Sequence, residues 1–200
     1  MRISIGAAAA AAALILLSSP TPTGATSSSR VIASVDARNL ALHSYTFHMN
    51  VAMAMKHFPW LHFHLEGEGT YRRGDRYIVH FTSMPGFASK IHDIDLSMID
   101  PAMWPGHYRY SEAGRQDDDT IFALEPIDDV NLKTASVALN EASGVRWVDA
   151  TYADGTHIHM IVNSGEFGGF LLPASMSAAV DYPHMPIAAH ADFGDYSFSN

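Results

Sequence analysis

The 200-residue chain contains no cysteine. That excludes disulfides, a cysteine nucleophile and the acylated cysteine of a lipoprotein. Positive charge is scarce, with 12 Lys and Arg against 21 Asp and Glu and a formal net charge of −9. An acidic chain with scattered basic residues is a poor binder of nucleic acid and of anionic lipid surfaces. Catalytic motifs are missing as well: no Gly-x-Ser-x-Gly elbow, no His-Glu-x-x-His, no phosphate-binding glycine loop. No enzyme and no cofactor is expected, although a Ser, His and Asp set assembled in space needs no motif.

Long apolar runs are equally few. Ile3–Leu17 follows the basic Arg2 and precedes the polar stretch Ser18–Ser29, which is the order and length of an export signal. The run falls short of the roughly 18–20 residues that cross a bilayer. Cleavage is expected after Thr23-Gly24-Ala25. The chain then divides into a signal peptide (1–25), a disordered Pro, Thr, Ser and Gly-rich leader (26–30) and one domain (31–200). Its destination is the periplasm or the exterior, with no transmembrane segment left after cleavage. Arg2 is the only charged residue of the signal, so the mature net charge becomes −10. A single domain of this length can bury an adequate core without disulfides.

What is present is patterned. Val31, Val35, Leu40 and Leu42, with Ala33, Ala37 and Ala41, predict a helix over Val31–His43. The period then changes to two. Tyr45, Phe47, Met49, Val51, Met53 and Met55 alternate with smaller or polar residues, which predicts a strand Tyr45–Lys56 that Pro59 terminates. In the next strand Leu61, Phe63 and Leu65 share one face, and His62, His64, Glu66 and Glu68 the other. Gly67 and Gly69 suggest a bulge or close packing. Arg73-Gly74-Asp75 reads as a turn, and Tyr77, Val79 and Phe81 continue on the return strand.

Met84–Gly106 breaks the pattern and reads as a loop with a helical piece around Leu96–Met103. Short strands are expected at Tyr108–Tyr110 and Thr120–Pro126, separated by an acidic turn Gly114–Asp119. Five strand-like segments follow: Lys133–Leu139, Val145–Tyr152, Thr156–Val162, Leu172–Tyr182 and Ile187–Phe198. Pro173 indicates an edge or bulge, and Gly194 a slip of phase. The count is eight to ten strands with few helices, so βαβ units and a parallel sheet are not expected. The fold class is mainly β (α+β): a curved antiparallel sheet or incomplete barrel around an N-terminal helix and a short helical insertion.

This order of parts resembles the LolA/LolB-like lipoprotein-carrier superfamily of periplasmic proteins. The residues that carry the likeness are the N-terminal helix followed directly by Tyr45–Lys56, the hairpin Gly67–Tyr77, the meander Trp147–Gly155, the strand start Leu172–Met176 and the closing Ala191–Phe198. The likeness covers Val31–Phe198 and is one of layout. It implies a half-barrel whose concave face, lidded by helices, holds acyl chains or other apolar ligands. No ligand-contacting residue of that family can be matched, so none is carried over.

The expected function is binding or carriage of a lipid-like or other apolar ligand on the concave face. The candidate lining is Phe47, Met49, Val51, Met53, Met55, Phe63, Leu65, Tyr77, Val79 and Phe81, with Trp104 from the insertion. Methionines are adaptable and suit such a pocket. The same side chains would equally form an ordinary core under the helix. The insertion around Trp104-Pro-Gly106 reads either as a lid or as a fixed cap.

Two further readings stand beside this one. The domain serves as an envelope interaction or signalling module with a protein partner and no ligand. Alternatively it binds metal through the pairs His62/His64 and His157/His159, because residues i and i+2 of a strand project to one face. For the histidines, solvent-facing strand positions are the simpler expectation, and the metal route requires the two pairs to lie on neighbouring strands. Asp117–Asp119 and Asp128-Asp129 lack the spacing of a calcium loop and read as solvated turns.

Overall fold

Eleven strands form one antiparallel, curved and unclosed sheet in the computed structural model, which describes residues 24–82, 93–129, 131–182 and 185–199. The apolar run read as an export signal lies outside these residues, as do positions 83–92 of the irregular loop. The strands are β1 (Ser44–Met55), β2 (Phe58–Arg72), β3 (Arg76–Phe81), β4 (Asp93–Asp95), β5 (Tyr108–Gln116) and β6 (Asp119–Pro126). They continue as β7 (Leu132–Asn140), β8 (Gly144–Tyr152), β9 (His157–Phe167), β10 (Phe170–Tyr182) and β11 (Met185–Ser199). Among the described residues the helical elements are α1 (Gly24–Arg38), α2 (Trp104–His107) and the 3-10 turns Ser97–Ile99 and Pro101–Met103.

Spatial order is β4-β3-β2-β1-β11-β10-β9-β8-β7-β6-β5. Two meanders, β1–β4 and β5–β11, are joined because the last strand pairs with the first, Val51 lying opposite Ala191. Among the described residues the sheet opens between β4 and β5, the two strands that flank the insertion. β4 is three residues long, and β5 carries Arg109, Glu112 and Arg115, so both edges are short or charged and resist edge-to-edge pairing.

Period-2 patterning places one row of each strand on an inner face. In β1 the burial alternates from Tyr45 through Phe47 and Met49 to Val51, and Leu65, Tyr77, Val79 and Phe81 join them from β2 and β3. Phe122, Leu124, Val137, Leu139, Val148 and Val162 continue the same core across the other meander. Its aromatic centre is tight: Tyr45 stacks on Tyr71 at 4.7 Å between ring centroids. Close packing explains Gly69, where an added Cβ would lie 2.0 Å from the Phe47 ring. Gly74 turns the β2–β3 hairpin with φ +71°, a conformation glycine adopts without cost.

Several boundaries differ from the sequence reading. α1 begins at Gly24, so the leader expected to be disordered forms its first turns, and it ends at Arg38 rather than His43. Serine and threonine cost a helix only a few tenths of a kcal/mol each, while Val31 and Val35 are buried and hold it down. Residue 59 falls inside β2, at an irregularity in the pairing with β1 between Ala54 and Met55. The acidic segment expected as a turn is mostly strand: only Asp117 and Asp118 lie between β5 and β6, Asp117 with φ +53°. Pro173 does sit at a bulge against β9. The phase slip near Gly194 is the register shift between β1 and β11 at Thr46/His48.

Candidate ligand-binding surfaces

The inner face collects the expected apolar residues. Phe47, Met49, Val51, Met55, Leu65, Tyr77, Val79, Phe81 and Trp104 are buried, and Met53 and Phe63 are half-buried. Among the described residues α1 and the insertion cover this face and pack closely on it. Between α1, the insertion and the sheet there remains a cavity of about 30 Å³ bordered by Val35, Leu42, Tyr45, Tyr77, Ile99 and Asp100. That is on the order of one water, against several hundred cubic ångströms for a ligand pocket.

The cover is tied at its rim by polar links. Arg73, in the β2–β3 turn, donates to the Asp36 carboxylate and, at 2.9 Å, to the Asn39 carbonyl. Asn39 grips the start of β10 twice: its Nδ2 donates to the Leu171 carbonyl at 2.8 Å, and its Oδ1 accepts from the Leu171 N–H at 2.9 Å. Arg38 donates to the Ala142 carbonyl in the β7–β8 turn. Thus α1 is strung across the mouth of the half-barrel, from one meander to the other.

The insertion is held differently. Trp104 is fully buried, and its Nε1–H donates to the Met98 carbonyl at 3.1 Å. Ser97 and Tyr108 hydroxyls meet at 2.9 Å, and the Leu96 N–H donates to the Tyr77 carbonyl at 2.7 Å. The Asp100 carboxylate accepts from the Ala102 N–H at 3.0 Å and from the Tyr71 hydroxyl.

Burial pushes the Asp100 carboxyl above its usual range, against the Ala102 and Tyr71 hydrogen bonds and the nearby Arg73, which pull it down. Burial likewise raises Tyr45, Tyr71, Tyr77 and Tyr196, and Tyr108 to about 12, so these phenols stay neutral. For an acid raised on folding, the native state holds its proton longer than the unfolded chain. Stability from this group is therefore full below the ordinary carboxylate range and is lost as pH rises through the raised value. Asp100→Asn keeps an acceptor for both donors. It is expected to flatten the fall of thermal midpoint with pH above the carboxylate range; an unchanged slope relative to wild type contradicts this account of Asp100.

The opposite, outer face carries the histidines. His62 and His64 stand on β2, and His157 and His159 on β9, so β1, β11 and β10 separate the two pairs. The neighbouring-strand condition for a shared metal is not met. Among the described residues no group of three or more His, Asp or Glu side chains is arranged to hold an ion. His157 and His159 instead share Asp149 of β8, at 2.6 and 3.2 Å.

Between the pairs runs an open groove of about 500 Å³. Ala52, Ala54, Ala179 and Ala188 contribute its floor, and His62, His64, His159 and His190 border it. Met53, which packs against the core, also touches this groove. His190 contacts the Ser177 hydroxyl at 3.0 Å and Asp192 at 3.3 Å. Serine meets Nδ1 and the carboxylate Nε2, the reverse of the nitrogen assignment in a Ser-His-Asp relay. β10 is paired on both sides, so the main-chain N–H groups around Ser177 are committed to ladders. The links orient the imidazole.

No family model and no curated protein matches the chain in sequence. Solved structures match its shape. A LolA superfamily protein of Nitrosomonas europaea superposes with a TM-score of 0.60 at 12% identity, over 86% of this chain and 93% of that one. The fold is LolA-like. A DUF1329 family protein of Desulfovibrio piger gives 0.60 at 8% identity, over 87% and 92% of the two chains. A Vibrio parahaemolyticus domain named for outer membrane lipoprotein sorting gives 0.58 at 10%, over 86% and 92%. No helix among the described residues is long and apolar enough to cross a membrane.

The sequence reading did not single out Asp36, Asn39, Arg73, Asp100, His190 or the alanine floor. The rim links join positions as far as 132 residues apart, and no local pattern encodes them. The alanines did leave a signal, since they occupy strand positions where polar residues are usual.

Proposed function

We propose that the protein is an exported carrier that binds an apolar, lipid-like ligand between the inner face and its helical cover. The LolA-like fold supports this reading, and the observation that carries it is the construction of the cover. α1 lies over a wall of aromatic, methionine and aliphatic side chains and is tied at its rim by a few hydrogen bonds and one ion pair. Such links are worth about 1–3 kcal/mol each, which suits a cover that separates from the sheet without unfolding it. Each ligand methylene taken from water into the opened space contributes about 0.8 kcal/mol. Desolvation alone then gives firm binding with few polar contacts.

Loosening the rim tests the reading. Arg73→Ala combined with Asn39→Ala shifts the cover toward its open state. Occupancy by a fluorescent single-chain acyl probe is expected to rise roughly fivefold to tenfold at subsaturating probe. If neither the wild type nor the loosened variant takes up the probe while both remain folded, the carrier reading fails and the same fold serves as a protein-interaction module.

A further inference from the structure

The groove on the outer face is not explained by a ligand held under the cover. Outward positions of an antiparallel sheet are normally polar, and alanine is disfavoured in strands. Here three adjacent central strands present alanine outward, in register: Ala54 lies opposite Ala188, and Ala188 opposite Ala179. The row ends in His62 on β2, opposite Ala54, and in His159 on β9, opposite Ala179. The next row runs from His64 past Ala52 to His190, Ser177 and Ile161. Single Cβ groups form the floor, imidazoles rise at both sides, and the trough between them measures about 500 Å³.

We infer that this groove is a second ligand site, which takes an uncharged amphiphile with one hydrocarbon chain. Its lining contains no Lys, Arg, Asp or Glu, so a charged headgroup finds no counter-ion inside. Carboxylates stand just outside: Asp149 holds His159, Asp192 holds His190, and Glu66 lies two residues beyond His64 on the same face. In a chain of net charge −9 that surround repels fatty-acid and phosphate headgroups. Hydroxyl and ester oxygens suit the lining better. Ser177 and His190 offer a paired hydroxyl and imidazole, and imidazoles both donate and accept hydrogen bonds. At the same end of the sheet, Trp60 (75% exposed) and Phe58 (48%) pack edge to face at 5.6 Å just before His62.

Titration with a monoacylglycerol, the matching fatty acid and the matching alkylamine, followed by native mass spectrometry, tests this assignment. Ala54→Phe and Ala188→Phe fill the trough from the outer face, where aromatic side chains suit a strand. The monoacylglycerol is expected to bind wild type roughly tenfold more tightly than the fatty acid and no less tightly than the alkylamine, which the surrounding carboxylates attract but the lining does not pair, and to lose roughly tenfold in affinity in the filled variants. Undiminished binding in both folded filled variants overturns the proposal, as does a preference for the acid or the amine. The two sites separate cleanly. Binding that responds to the Arg73/Asn39 pair but not to Ala54 or Ala188 places the ligand under the cover and leaves this inference wrong; the reverse pattern leaves the carrier reading wrong.

Discussion

Gly69→Ala is expected to destabilise the protein by about 3 kcal/mol, the upper end of what overpacking a core costs. The new methyl would lie 2.0 Å from Cζ of Phe47, inside any van der Waals contact. The ring cannot swing away, because Tyr45, Tyr77, Phe193 and Tyr196 surround it with centroids 5.6–5.9 Å distant. For a domain of this size the thermal midpoint should fall by roughly 6–12 °C. Gly114→Ala is the control, since its Cβ meets nothing within 4 Å, and should stay within about 0.5 kcal/mol of wild type. Phe47→Leu should restore part of the loss in the double variant. Equal midpoints for Gly69→Ala and Gly114→Ala would show that β1 and β2 do not pair with Phe47 against residue 69.

The second large effect is at Trp104. Truncation to alanine removes a fully buried indole that packs on Phe122 at 5.4 Å and donates to the Met98 carbonyl. A loss of about 3–5 kcal/mol is expected. Phe in its place keeps most of the volume and strands one carbonyl, for a loss of about 1–3 kcal/mol. The insertion should then leave the sheet before the sheet itself melts, and an apolar dye should bind the alanine variant at temperatures where it ignores wild type. A dye signal that appears only with global unfolding would mean the insertion is an integral part of the core rather than a separable part of the cover.

Much of the sheet was legible because a strand buried on one face must alternate. Tyr45 to Met55 announced β1 within one residue at each end, and the C-terminal meander was legible strand by strand, although β9 runs five residues past its expected end at Val162, to Phe167. Legibility failed where tertiary context decides. Gly24–Ser29 are small residues without an apolar period, and the helix that continues through them is anchored further on, by the buried Val31 and Val35. Gly114 and Arg115 read as a turn, yet they pair with Ile121 and Thr120 in a long edge hairpin.

The inner-face residues were identifiable from their period. Whether they border a space or fill it depends on how closely α1 and the insertion approach, which no periodicity reports. The rim links of Arg73 and Asn39 join distant segments and were invisible for the same reason. The outer groove needed the order of strands: only when β11 lies between β1 and β10 do Ala54, Ala188 and Ala179 become one floor. The histidine pairs were correctly placed off the apolar face, but their distance apart follows from that same strand order.

The central claim is that this fold carries an apolar ligand. The most direct measurement is native mass spectrometry of the protein purified from its native cells, before and after organic solvent extraction, with identification of the extracted molecules. A bound mass that disappears on extraction, matched by a lipid-like molecule in the extract, is the predicted result. An unliganded mass that persists after incubation with lipids, for wild type and for the Arg73→Ala/Asn39→Ala protein alike, would contradict the account.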